Sequence, residues 1–297
     1  MRITNEAAAT AYRVLDKCAE DLEAVGPWRW SCAVRNGARL PMDASLDEGF
    51  LQLACRPDGI RRSGAALQRA LEGNSALSGG VKLALNSSSS GLHLRAELAV
   101  LDERQLLDRM ERALKGFHDG VGLLRSLECD SGGESNAAPR AAESAINLGE
   151  LLRGSSWSCA ERGPNDFSAK LGAESAPPAA IRMTENGLDL SVELVRANTA
   201  PEMSRQALAV FLLTVSSALR MARGYATAAD GHESYGFQVC LPAAPAAEEI
   251  DHGLAALSIA YRMCAREADV LLNDAAARCY LAARESSTNP HQHEEEN

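Results

Sequence analysis

The six histidines and eight cysteines are the side chains of this 297-residue chain best suited to chemistry, since imidazole moves protons or binds metal near neutral pH and thiolate is a nucleophile. Their spacing argues against both. His93, His118, His232 and His252 stand far apart, and each reads as a surface residue. His291 and His293 in "HQHEEE" could grip a divalent ion, but a polar tail supplies no fixed geometry, so the pair is not read as a site. Cys18, Cys32, Cys55, Cys129, Cys159, Cys240, Cys264 and Cys279 contain no Cys-x-x-Cys pair and mostly sit among apolar neighbours, where a thiol behaves as a small buried hydrophobe. Glu248, Glu249 and Asp251 beside His252 complement a helix N-terminus, and Ser87–Ser90 reads as a flexible hairpin tip. No phosphate-binding Gly-rich loop, Gly-x-Ser-x-Gly elbow or His-Glu-x-x-His pair occurs. No catalytic, cofactor-binding or metal-ligating residue is therefore assigned, and a non-enzymatic role is favoured.

Charge narrows the partners. Thirty Lys and Arg against 40 Asp and Glu give a net charge of −10, which repels phosphate backbones, and the only short basic cluster is Arg56 with Arg61 and Arg62. Nucleic acid is not an expected partner. The N-terminus lacks the apolar run of a signal peptide and no window is apolar enough for a membrane span, so a cytoplasmic chain with no membrane contact is expected.

The elements that must position any site come from a repeat. "WRWSCAVRNG" at Trp28–Gly37 returns as "SSWSCAERGP" at Ser155–Pro164. Trp28, Trp30, Cys32 and Val34 alternate with polar residues, the period of a half-buried strand, and Trp157 and Cys159 keep the phase, so both indoles are expected in a core. "GFLQLACR" and "DFSAKLGA" read as the next strand of each copy. "VKLALNSSSSGLHLRAEL" (Val81–Leu98) and "AIRMTENGLDLSVEL" (Ala180–Leu194) read as matched hairpins, the second turning at Asn186-Gly187. Each hairpin hands over to a capped helix, through Asp102 in one copy and Thr199-Ala-Pro-Glu202 in the other. Helices at Asn5–Leu22 and Ala141–Arg153 precede the Trp strands, and Ser63–Glu72 is an extra short helix of the first copy.

The expected fold is α+β, a tandem duplication of a helix–antiparallel sheet–helix unit with pseudo-twofold symmetry and a long C-terminal helix. Its parts are a first copy over 1–127, a polar Gly/Ser-rich linker over 128–140, a second copy over 141–284 and a disordered tail over 285–297. The last helix, from about Ala246 to Leu281, carries Ile250, Leu254, Leu257, Tyr261, Cys264, Ala268 and Leu271 as an apolar seam that needs a partner, either within the chain or as a dimer interface.

The Trp strands, the two hairpins and the capped helices after them resemble the type III secretion chaperone-like fold. The resemblance implies a small acidic protein that holds a client protein in an extended state, with the tandem copy making one chain imitate the family's homodimer. Two departures stand out. The helix that the family places before its final strands has a candidate only in the first copy, and the second copy adds the strand "SYGFQVCLP" and a long helix. The expected function is a non-enzymatic protein-binding module that presents a sheet face or groove. The alternatives are a small-molecule or enzymatic pocket between the copies, lined by Trp30 and Trp157, or a dimeric scaffold using Ile250, Leu254, Leu257, Tyr261 and Leu271.

Overall fold

The computed structural model describes residues 5–36, 38–56, 63–86, 91–128, 147–172, 176–229 and 231–288. Linker residues 129–140, Cys129 among them, positions 141–146 of the helix expected over Ala141–Arg153, the Ser87–Ser90 tip, Arg61–Arg62, His291 and His293 lie outside them, while Glu128 ends the helix after the first hairpin.

The first half runs α1 (Asn5–Cys18), β1 (Glu20–Gly26), β2 (Arg29–Asn36), β3 (Ala38–Asp47), β4 (Phe50–Cys55), α2 (Gly64–Asn74), β5 (Lys82–Leu85), β6 (Leu92–Ala99) and α3 (Glu103–Glu128). The second runs α4 (Leu148–Leu152), β7 (Cys159–Gly163), β8 (Asp166–Ala169), β9 (Ala179–Thr184), β10 (Gly187–Ala197), α5 (Glu202–Ala218), β11 (Arg223–Ala229), β12 (His232–Leu241), α6 (Ala247–Val270) and α7 (Asp274–Thr288). Each half builds one six-stranded antiparallel sheet, ordered β1-β2-β3-β4-β6-β5 in the first and β7-β8-β9-β10-β12-β11 in the second. The two orders are the same, so the fold is α+β and duplicated as a whole.

The duplication aligns differently from the sequence matches. Topology pairs β1 with β7, the β5–β6 hairpin with β11–β12, α2 with α5 and α3 with α6. Residues 180–194, matched in sequence to the β5–β6 hairpin, form β9 and β10 and correspond to β3 and β4. Any half-buried antiparallel hairpin alternates apolar and polar residues, so alternation alone cannot tell one hairpin from the next. Sequence reading misses three strands: β11, whose first residue Arg223 is expected to end the preceding helix while α5 stops at Ala218, and β1 and β3 for local reasons. β1, "EDLEAVG", is an edge strand with charges on both faces and a bulged pairing to β2, so it has no period of two; the helix expected to run to Leu22 stops at Cys18. β3 contains Pro41, which reads as a loop. Pro41 is opposite Ala33 of β2, at a level where no residue of β4 is paired to β3, so it interrupts no ladder on that side.

Helices cover one face of each sheet. On the first, Trp30, Cys32, Val34, Met42, Ala44, Leu51, Leu53 and Leu94 point to the core under α1 and α3. On the second, Leu188, Leu190, Val192, Phe237 and Val239 lie under α6. The Asp102 cap forms as expected, its carboxylate accepting from Gln105 N at 2.9 Å. Thr199 does not cap α5, which starts one residue after Pro201 without a side-chain cap. Gly187 closes the β9–β10 turn at φ +127, where a Cβ would lie 2.1 Å from the Leu241 carbonyl oxygen, so only glycine fits.

The C-terminal helix is two helices broken at Leu271–Asn273, and α7 continues through Glu285 to Thr288, residues expected in the tail. Among the described residues no helix is long and apolar enough to cross a membrane.

Candidate functional site

The two halves meet by reciprocal contacts: α2 packs on β11, α5 packs on β5, α2 packs on α5, and β5 touches β11. Exchange of this kind is the mark of a twofold-related interface, here within one chain. The first residues of β5 and β11, Lys82 and Arg223, are fully buried and reach into the other half. Lys82 Nζ donates to the carbonyls of Leu219 at 2.5 Å and Ala222 at 3.4 Å, and pairs with Glu97 Oε2 at 2.9 Å. Arg223 donates to the carbonyls of Leu77 at 2.6 Å, Val81 at 2.8 Å and Ser75 at 3.2 Å. Each cation therefore satisfies the loop before the other half's edge strand, a loop that has no ladder of its own.

The helices end on matching bonds. Asn74 Oδ1 accepts from Leu83 N at 2.7 Å, and Ser216 Oγ accepts from Gly224 N at 2.7 Å. Asn74 Nδ2 also donates to the Gly224 carbonyl at 2.9 Å, which bridges the two sheets by a side chain where no backbone ladder joins them. Burial lowers the Lys82 pKa, with Glu97 opposing, and raises that of Asp189, which the Arg223 charge opposes. These titratable groups converge, and most of their polar atoms are held by backbone or by one another, Asp189 Oδ1 and Arg223 Nε being the exceptions, while the Lys82 and Glu97 side chains have no exposed surface. The cluster is structural.

The polar face of the first sheet is only partly covered. Cross-strand register sets Arg29, Ser45, Gln52 and Glu97 in one row and Ser31, Asp43, Ala54, Arg95 and Lys82 in the next. One residue beyond the β4–β6 pairing, Arg56 and His93 face each other. The second half covers the Lys82 end, where Arg95 donates to the Ser217 carbonyl at 2.8 Å while also meeting Gln52 Oε1 at 2.7 Å. Over β2, β3 and β4 a groove of about 420 Å³ stays open, lined by Arg29, Asp43, Gln52, Arg56, His93 and Arg95 among others.

His93 is not the surface residue expected from sequence. It is 8 % exposed, and burial, with Arg95, Arg56 and Lys82 nearby and a Gly91 carbonyl opposing, lowers its pKa to about 4. The unfolded chain therefore binds a proton between pH 6.5 and about 4 that the folded chain does not. Stability should fall as pH drops through that window, by about 2–3 kcal/mol in all. Denaturant unfolding near pH 7 and near pH 4 should show a shallower loss for His93→Asn; equal losses in variant and parent would contradict this assignment.

The other expected site residues lie elsewhere. Trp28 occupies the β1–β2 turn at φ 55 and is 38 % exposed, so it is not a strand residue. Trp30 is buried on the core side of β2, as read, and meets the groove only at its backbone, since the side chain alternates away from it. Trp157 sits in a bend between α4 and β7, half-buried against the core of the other sheet. Trp30 and Trp157 therefore do not share a pocket. Ile250, Leu254, Leu257 and Leu271 are buried and Tyr261 half-buried, and α6 packs on β10 and β12, so the seam's partner is the chain's own sheet. The outward face of α6 leaves Ile259, Met263 and Val270 exposed instead.

Cavities do lie between the halves, among them one of about 300 Å³ between α2 and α5; two more bear on the expected site. One of about 500 Å³ between α2, α5 and α7 is lined by Leu67, Leu85, Met203, Gln206, Val210 and Leu281. The other, about 70 Å³, brings Glu97, Arg109, Glu249 and His252 together. Its size suits a few waters rather than a substrate, and Glu249 is already paired with Arg109 at 2.7 Å and bonded by Ala246 N at 2.9 Å. The sequence explains Glu249 as a complement to the helix dipole; its link to Arg109 of α3 arises only from packing between the halves. Asp251 likewise accepts from Ser155 Oγ at 2.6 Å. His118, His232 and His252 are exposed, as expected. Burial raises the thiol pKa of Cys32 and Cys55 to about 11 and of Cys240 to about 12, which fits unreactive packing. Among the described residues no group of three His, Cys, Asp or Glu could hold a metal ion.

Compared with known proteins, the chain matches no family model, no curated protein and no solved structure.

Proposed function

We propose that this chain is a non-enzymatic, cytoplasmic protein-binding module, chaperone-like in action, that lays an extended client segment in the groove on its first sheet. The observation that carries the reading is an open polar sheet face walled by the other half of the same chain. Strand number and reciprocal packing make the chain a single-chain counterpart of a twofold dimer, the arrangement that the resemblance to the type III secretion chaperone-like fold implies. Both halves place a helix, α2 or α5, before their last two strands, so the departure noted for the second copy rests on the earlier alignment. Each half also carries four strands before that helix, one more than the three the resemblance implies.

The test is binding of a reduced, carboxymethylated and permanently unfolded polypeptide by the full chain, followed by hydrogen exchange. The expected result is one polypeptide per monomer, with added protection confined to β2, β3, β4 and β6, and no binding of the same polypeptide in its folded state. Equal binding of folded and unfolded forms, or protection spread over the α2–α5–α7 cavity, would sink the reading. Protection at that cavity would instead favour a ligand pocket between the halves, for which its largely apolar lining speaks.

A further inference from the structure

We propose that the groove on the first sheet selects acidic segments, its carboxylate-bearing occupant meeting Arg29 and Arg56 while an N–H of the same segment meets His93 Nδ1. The inference rests on the reading above and adds the chemistry of the client.

Three observations point the same way. The first is a contrast between the halves. On the polar face of the second sheet Arg182 is 3.4 Å from Asp166, and Arg196 is 2.9 Å from Glu193, so that face neutralises itself. On the first, Arg29 and Arg56 are exposed and neither is paired with a carboxylate among the described residues. Of the nearby acids, Asp47 and Glu48 hold Arg220 at 2.5 and 2.7 Å and Glu97 holds Lys82 and Arg95, while Glu23, opposite Ser31, and Asp43 pair with no cation among the described residues. Asp43 shares the groove and repels a carboxylate locally, which places the favourable contacts at Arg29 and beyond β4 at Arg56.

The second is His93 Nδ1, a buried polar atom with no hydrogen-bond partner in a side chain more than nine-tenths buried that lines the groove. Such an atom is costly unless something bonds it. As the acceptor nitrogen of a neutral imidazole, Nδ1 takes a hydrogen bond that a peptide amide N–H provides. The third is length. From β2 to β6 the sheet spans three strand spacings of about 4.8 Å, roughly the reach of four extended residues. A chain of net charge −10 repels acidic segments overall, so any preference for them must come from this local patch.

The probes are a fluorescein-labelled peptide of Glu-Ser repeats and its Lys-Ser counterpart, followed by fluorescence polarisation on the full chain at low salt. The Glu peptide is expected to bind at least about tenfold more tightly than the Lys peptide, with affinity falling as salt rises. Arg29→Gln/Arg56→Gln should lose about tenfold or more, whereas Arg262→Gln/Arg266→Gln on the outside of α6 should change binding less than about twofold. His93→Leu should weaken the Glu peptide and His93→Asn should restore part of the loss. Equal affinity for the two peptides, or an unaffected Arg29/Arg56 variant, overturns the charge preference while leaving the groove a client site. Complete displacement by inorganic phosphate overturns it in favour of a small-anion site. If neither these peptides nor the unfolded polypeptide binds, both readings fall together.

Discussion

Replacing Glu97 by leucine is expected to lower the unfolding free energy by about 3–5 kcal/mol, because it leaves the Lys82 ammonium uncompensated in a fully buried position. The companion variant Lys82→Met/Glu97→Leu should recover most of that loss, since removing both charges of a buried pair spares the desolvation that the pair must otherwise overcome. Both variants also remove the Glu97 partner of Arg95, which keeps its bonds to Gln52 and the Ser217 carbonyl, so that loss is common to the two and cancels in the comparison between them. A pH series gives an independent sign. In Glu97→Leu the amine loses the neighbour that opposes burial, so its folded pKa falls further below the ordinary 10.5. The unfolded state then binds more protons than the folded state up to that value, and stability must rise with pH across the alkaline range. Guanidinium unfolding of the three proteins near pH 7 and near pH 10 decides it. A single-variant loss under about 1 kcal/mol would show that the junction tolerates a free buried cation, against the expectation for such groups.

Arg223→Met should be comparably severe, about 3–5 kcal/mol, and its effect should appear in both halves. The guanidinium belongs to the second half by sequence, yet its three acceptors, Ser75, Leu77 and Val81, belong to the first. Its loss also strips Asp189 of the charge that opposes its burial. Arg223→Lys should rescue little, because one ammonium cannot reproduce a fork that reaches three carbonyls. The tryptophans supply separate reporters, Trp28 and Trp30 in the first half and Trp157 in the second. Single-reporter versions of the parent and of Arg223→Met should show coincident transitions, both shifted together in the variant. A shift confined to the Trp157 reporter would mean that the halves are energetically separate.

These two variants also mark where sequence reading stopped. Lys82 and Arg223 look like ordinary strand-end cations in "VKLAL" and "RGYATAA", and nothing local distinguishes them from the exposed Arg182. Their burial comes from residues about 140 positions away, Lys82 meeting Ala222 and Arg223 meeting Val81. His93 shows a related limit: alternation places it correctly on the polar face of β6, and its burial is decided only by the packing around it.

What the sequence determined by itself is what short-range physics writes into neighbouring residues. Alternation gave β2, β4, β6 and β10, the Asn186-Gly187 turn gave the β9–β10 hairpin, Asp102 marked the start of α3, and the recurrence of similar units marked the chain as duplicated α+β. Only the tertiary structure decided how the copies align, because hairpins with one dry face share one pattern and a charged edge strand such as β1 has none. It also decided the seam: Ile250, Leu254 and Leu257 asked for an apolar partner in the sequence, and the nearest surface able to cover them was the chain's own sheet. The groove has the same origin, since strands distant in sequence must pair before Arg29, Arg56 and His93 share a surface.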